Sequence, residues 1–180
     1  MSFEDSSLFT YLNTTFYSDL KNSVTKNMIS PNARWYGGSI PMFQMSSIHM
    51  HDTYTYVSKN TINATFRIGL VNAYEYAYSA GNNRNDIYWC LNVDRPEYNW
   101  EVFGPHEQCA EKSWIYDSSW PQWTMTESGD PTALMISLKG ELGNDRVMYE
   151  YNIFPVLYLN NTLKIGDGDG SSEFPYQIVP

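Results

Sequence analysis

Apolar residues recur every four positions along "SSLFTYLNTTFYSDL". Leu8, Leu12, Phe16 and Leu20 thus share one side of a helix, with Ser6 or Ser7 standing as its N-cap. A second, shorter helix is predicted in "SVTKNMI", with Val24, Met28 and Ile29 turned inward. It stops at Ser30, because Pro31 disfavours helical backbone in the residue before it. From Ala33 the texture changes to short extended runs, "ARWYGGSI", "DTYTYVS" and "ATFRIGLV", parted by Gly, Asn and Pro. "DTYTYVS" alternates strictly and reads as a half-exposed strand. In "NAYEYAYSAG" the residues Tyr74, Ala77 and Tyr78 return at helical spacing and Gly81 ends the run, which predicts a short helix or turn.

The region from Asn82 to Ser119 lacks periodicity and reads mostly as loop. After it come four extended runs at close spacing: "QWTMTES", "TALMISLKG", "ELGNDRVMYEY" and "IFPVLYLNNTLKI". They suggest an antiparallel meander with a turn at Gly143-Asn144. Pro155 places the first half of the last run at an edge or bulge, since proline cannot donate to a ladder. Helices followed by strands make the class α+β. With no repeat and no low-complexity tract, residues 1–180 are expected to form a single domain, long enough to bury roughly two thirds of its unfolded surface.

Composition narrows the function. Charged residues make up 17% and the net charge is -9, so nucleic acid would be repelled over most of the surface. In place of charge stand 15 Tyr, 6 Trp and 8 Phe, with many Asn, Ser and Thr. That surface chemistry favours neutral polar ligands and protein contacts, and points to an extracellular location. No stretch approaches the roughly 20 apolar residues that span a bilayer, so no membrane insertion by this segment is expected. "MSFEDSS" lacks the basic start and apolar run of a signal peptide.

Cys90 and Cys109 enclose "LNVDRPEYNWEVFGPHEQ". A disulfide closing that loop would stabilise the fold by about 3 kcal/mol in the chain-entropy picture. The alternative is two separate buried thiols. A redox-active pair is disfavoured, because the C-x-x-C spacing is missing.

The tail "IFPVLYLNNTLKIGDGDGSSEFPYQI", preceded by "QWTMTES" and "ALMISLKGEL", resembles the closing segment of an uncharacterised family of domains in Gram-positive bacterial surface and secreted proteins. The resemblance extends upstream through "SSLFTYLNTTFYSDL", "IGLVNAYEYAYSAG" and a Cys…Cys loop followed by "SWIYDSS", in that order. It implies a C-type-lectin-like fold, similar to the formylglycine-generating-enzyme group: two N-terminal helices packed on a twisted antiparallel sheet, with long irregular loops. In that family pattern the two cysteines hold a position that looks structural. Phe154 departs from the family's usual Arg, and "GDGDG" replaces its commoner "GGDG".

Five kinds of site are conceivable. Asp167, Asp169 and Glu173 suggest calcium, but an EF-hand would need Gly and Glu where Ser172 and Ile178 stand, so the tail reads as a chain-reversing turn. The Glu-Pro-Asn and Trp-Asn-Asp pattern of a calcium-dependent lectin is missing too, since "DRPEYNW" puts Arg95 before the proline. His49 and His51 would share a strand face beside Asp52, yet a third ligand is unidentified and His106 is remote, so no metal and no cofactor is expected. Neither a Gly-x-Ser-x-Gly elbow nor a phosphate-cradling loop is present, and Glu97 and Glu101 are acidic residues of a loop; the chain is expected not to be an enzyme. The strongest candidates are Tyr98, Trp100, Phe103 and Trp120, aromatics in or beside irregular polar sequence, which either display a ligand-binding surface or pack as the loop's own small core. Trp114 and Trp123, at strand positions, read as core.

The expected function is therefore an extracellular recognition or adhesion module at a cell surface, holding a glycan or protein ligand through its loops. The alternative is a structural subunit that self-associates into a surface filament or sheath.

Overall fold

Ser6 begins the fold. Its backbone is extended, and its side-chain oxygen accepts the Phe9 N–H at 3.1 Å while its hydroxyl donates to the Phe3 carbonyl at 2.6 Å. The cap joins a 3₁₀ turn (Phe3–Asp5) to helix α1 (Ser7–Tyr11) and contributes about 1 kcal/mol. The structure is a computed structural model describing residues 3–35, 65–79, 113, 115–129, 131–169, 171 and 173–179. The predicted strand at 52–58, most of the 82–119 loop and both cysteines lie outside these residues.

From α1 the chain continues through a π-helical turn (Leu12–Phe16) into α2 (Tyr17–Asp19). At 3.6 residues per turn, a four-residue repeat drifts by about 40° per step. The Tyr17 N–H reaches back to Leu12 O, and this wider turn recovers part of that drift. Leu12 is accordingly fully buried, with Leu8, Phe16 and Leu20 packed against the same core. Helix α3 (Ser23–Met28) ends before Pro31 as expected; Ile29 is buried and Met28 half-buried, while the Val24 side chain lies outside the described set.

Among the described residues the strands form four small antiparallel sheets. Strand β1 (Ala33–Arg34) pairs with β2 (Thr65–Phe66). Strand β3 (Ile68–Leu70) precedes helix α4 (Ala73–Ser79), and β4 (Gln122–Gly129), β5 (Thr132–Ile136) and β6 (Leu142–Arg146) make a meander. Strand β7 (Pro155–Leu157) pairs with β3, and β8 (Lys164–Ile165) with β9 (Ile178–Val179). The class is α+β, a mixture of helix and small antiparallel sheets.

Two expectations are corrected. The turn between β5 and β6 is not at Gly143-Asn144, which are ladder residues opposite Met135 and Leu134. It lies at 137–141, where Gly140 has φ 80° and its N–H donates to Ser137 O. The Tyr76 and Tyr116 hydroxyls tie this turn down by donating to Gly140 O and Leu138 O, each at 2.6 Å. Gly143 has a different use, since a Cβ there would stand 3.2 Å from Met135 Sδ. The second correction concerns the fourth extended run, which leaves the meander. Its proline pairs opposite Leu70 at the first position of β7, where a missing N–H is tolerated.

The core is aromatic where these pieces meet. The Trp35 indole stacks on Phe66 at 4.9 Å and 4°, and donates its N–H to Phe66 O at 2.7 Å. Phe9 and Tyr158 close the stack edge-on. Gly69 leaves room for it, because a Cβ would fall 2.7 Å from Trp35 Cζ3. At the kink between β2 and β3, one side chain replaces missing ladder bonds: Asn13 Oδ1 accepts the Arg67 and Ile68 N–H groups, and Nδ2 donates to Ile68 O and Phe9 O.

Candidate functional site

Strand β4 carries the most informative surface. Trp123 and Met125 lie two residues apart and pack toward the core from one side of the strand. The start of the chain approaches the same side, and the result is a groove of about 380 Å³. Phe3, Leu8, Leu70 and Val147 give it apolar walls; Ser6 and Thr132 supply hydroxyls. Register shifts in β4 around Glu127 curve the strand at this place.

Trp123 also begins a row of aromatic rings leading outward. Tyr151 lies 4.7 Å from it at 39°, and Tyr149 lies 6.5 Å from Tyr151 at 26°. Backbone bonds bring the two segments together, since Trp123 N–H donates to Asn152 O and Asn152 N–H to Pro121 O, each at 2.9 Å. Asp145 orients the middle ring: its Oδ2 accepts the Tyr151 hydroxyl at 2.6 Å, and its Oδ1 accepts the Arg146 N–H at 2.8 Å. That bond to a carboxylate, with some desolvation, pushes the Tyr151 phenol up to about 12. Tyr149 follows a tight turn in which its N–H donates to Arg146 O at 3.1 Å, and it is 50% exposed.

Of the four aromatics singled out from the sequence, Trp120 is described and is 60% exposed. It follows a turn in which Asp117 Oδ1 accepts the Ser119 N–H at 2.8 Å, contacts with Ser119 that hold the Asp117 carboxyl below the usual range. Tyr98, Trp100 and Phe103 lie outside the described residues, as do Cys90, Cys109, His49, His51, Asp52, His106, Glu97, Glu101 and Trp114. Trp123, expected as core, does pack against the core and is also the inner plate of the aromatic row. Sequence reasoning missed Tyr149 and Tyr151. The signal available for them was the pair of tyrosines two apart in "MYEY".

The acidic tail is a hairpin. Gln177 N–H donates to Asp167 O at 2.8 Å and Asp169 N–H to Phe174 O at 3.0 Å. Gly168 sits at φ 123°, where a Cβ would collide with the Pro175 carbonyl. Ser171, through its side chain and backbone N–H, holds the Asp169 carboxyl below the usual range. Among the described residues, no three His, Cys, Asp or Glu side chains gather closely enough to hold a metal ion.

Glu75 is a half-buried carboxyl at the start of α4. It closes a capping box on α4, accepting the Asn72 N–H at 3.3 Å while Asn72 Oδ1 accepts the Glu75 N–H at 2.8 Å. Burial raises its pKa above the ordinary value, against the Asn72 N–H and the Tyr158 hydroxyl, which lower it. Among the described residues, no helix is long and apolar enough to cross a membrane. Compared with protein-family models, curated proteins and solved structures, the chain matches none.

Proposed function

We propose that the chain is a non-catalytic extracellular recognition or adhesion module of a bacterial cell surface, built on a C-type-lectin-like scaffold and holding a glycan or protein ligand. The observation that carries this reading is the open aromatic row beside the 380 Å³ groove, with Trp123 common to both. Exposed aromatics backed by packed neighbours, rather than scattered singly, are the usual anchors of recognition surfaces. The -9 charge argues for a ligand that is not a polyanion. Screening the purified chain on paired glycan and peptide arrays tests the reading; reproducible hits on either support it, and blanks on both count against it.

One observation favours the alternative of a self-associating structural subunit. Ile165, Phe174, Tyr176 and Val179 are all exposed on the β8–β9 hairpin, and a two-stranded hairpin is marginal on its own. Size-exclusion chromatography with electron microscopy separates the two, since a monodisperse monomer over a wide concentration range disfavours a filament.

A further inference from the structure

Tyr149 is the outer plate of a stack whose inner plate is fixed. Trp123 is held by the core, Tyr151 by its ring contact with Trp123 and its hydroxyl bond to Asp145, and Tyr149 by its contact with Tyr151 and the turn at Arg146. The rings run from half-buried to half-exposed, so the outermost meets water without being free to wander. Preorganisation of this kind lowers the ordering cost of binding.

The stack's edges are polar. Arg146 and Glu150, one cation and one carboxylate, are exposed on either side of Tyr149 in the chain, and Asn144 and Asn152 are exposed nearby. Such a site has a flat apolar centre and hydrogen-bonding groups around it, and with Asp145 counted its carboxylates outnumber its one cation, so it suits a neutral ligand better than an anion. A pyranose ring has the complementary form: C–H bonds cluster on one face, hydroxyls project from the rim, and the whole is neutral. A protein hot spot, by contrast, is ringed by apolar contacts that exclude water, whereas the neighbours of Tyr149 in the chain include exposed Arg146 and Glu150. A nucleic-acid base fits the flat centre, but its phosphates meet the -9 chain.

We propose that the Trp123–Tyr151–Tyr149 row is a carbohydrate-binding platform, with an uncharged sugar ring stacked on the open face of Tyr149 and its hydroxyls reaching Arg146 and Glu150. This rests on the recognition reading above and selects glycan over protein as the ligand.

The test uses the full chain and four uncharged hexasaccharides built from glucose (β-1,4 and β-1,3), N-acetylglucosamine (β-1,4) and mannose. Saturation-transfer NMR identifies the binder, and calorimetry then compares wild type with Tyr149→Ala and Tyr149→Phe. At least one hexasaccharide is expected to bind, with affinity falling about tenfold in Tyr149→Ala and staying within about threefold in Tyr149→Phe, which keeps the ring. Tyr149 is half-exposed, so both variants are expected to fold, and circular dichroism checks this. No saturation transfer from any of the four at about 10 mM overturns the ligand class. Binding that Tyr149→Ala leaves within about twofold overturns the site while leaving the recognition reading intact. A peptide-array ligand lost in Tyr149→Ala, with no sugar bound, overturns glycan in favour of protein.

Discussion

Asn13 joins the π-helical turn to the kink between β2 and β3, and replacing it should cost more than any other single polar change in the first third of the described chain. Its amide is saturated, with two N–H groups accepted and two donated, at 2.8 to 3.2 Å. At about 1 kcal/mol net per bond the ceiling is about 4 kcal/mol. Asn13 is half-buried, so water can replace the partner nearest the surface, and Asn13→Ala is expected to cost about 2–3 kcal/mol. Asn13→Asp separates donors from acceptors. It can still accept the Arg67 and Ile68 N–H groups, but it turns an anionic oxygen toward the Phe9 and Ile68 carbonyls. Protonation restores a donor, so the aspartate's folded-state pKa is raised, and the stability it lends is present at low pH and lost as pH rises through that value. Urea unfolding of wild type and both variants at about pH 4 and pH 7 reads this out. Asn13→Asp should approach wild type at the lower pH and fall toward Asn13→Ala at the higher. Both variants within about 0.5 kcal/mol of wild type at both pH values would refute the reasoning.

Three further outcomes are expected. Gly69→Ala should cost about 1–3 kcal/mol, because the new methyl meets the Trp35 ring wedged against Phe66; an unchanged urea midpoint would mean that the ring yields freely. Tyr76→Phe should cost about 1–2 kcal/mol and speed amide exchange in the 137–141 turn, since the Gly140 carbonyl loses its buried partner; exchange equal to wild type would contradict that tether. Burial raises the Glu75 pKa in the folded state, so its contribution is fully present below the ordinary glutamate value and lost as pH rises through the folded value. Melting temperatures from about pH 4 to pH 7 should therefore fall more in wild type than in Glu75→Gln, and parallel curves would show that Glu75 carries no such linkage.

The first helices were legible because everything that makes them is local: a serine cap, apolar residues on one side, and Pro31 to stop α3. The meander was legible for a similar reason, since alternation names a strand and its neighbours are close in sequence. What alternation does not name is a distant partner. The run containing Pro155 pairs with β3 across nearly half of the chain, and only register against Ile68–Leu70 reveals it. The turn shows the same limit in smaller form. Gly140 and Gly143 both offered a reversal, and the choice is made by the Tyr76 hydroxyl, which lies 64 residues from the carbonyl it holds.

The aromatic row is the hardest feature to read from pattern, and the reason is physical rather than statistical. A ring at an alternating position has the same apolar signature whether its outer face meets another ring or water. Trp123, Tyr151 and Tyr149 form one series in which each ring neighbours the next and the last is half-exposed. Which plate is last depends on Asn152 crossing beside Pro121 and Trp123, a contact between segments about 30 residues apart in the chain. Trp120 shows the converse: it stands in the polar context expected of an exposed aromatic, and it is exposed. Polar surroundings identify an exposed ring. A stacked platform is invisible until its supports are placed, because the residues that hold it rigid are the same ones that would have buried it.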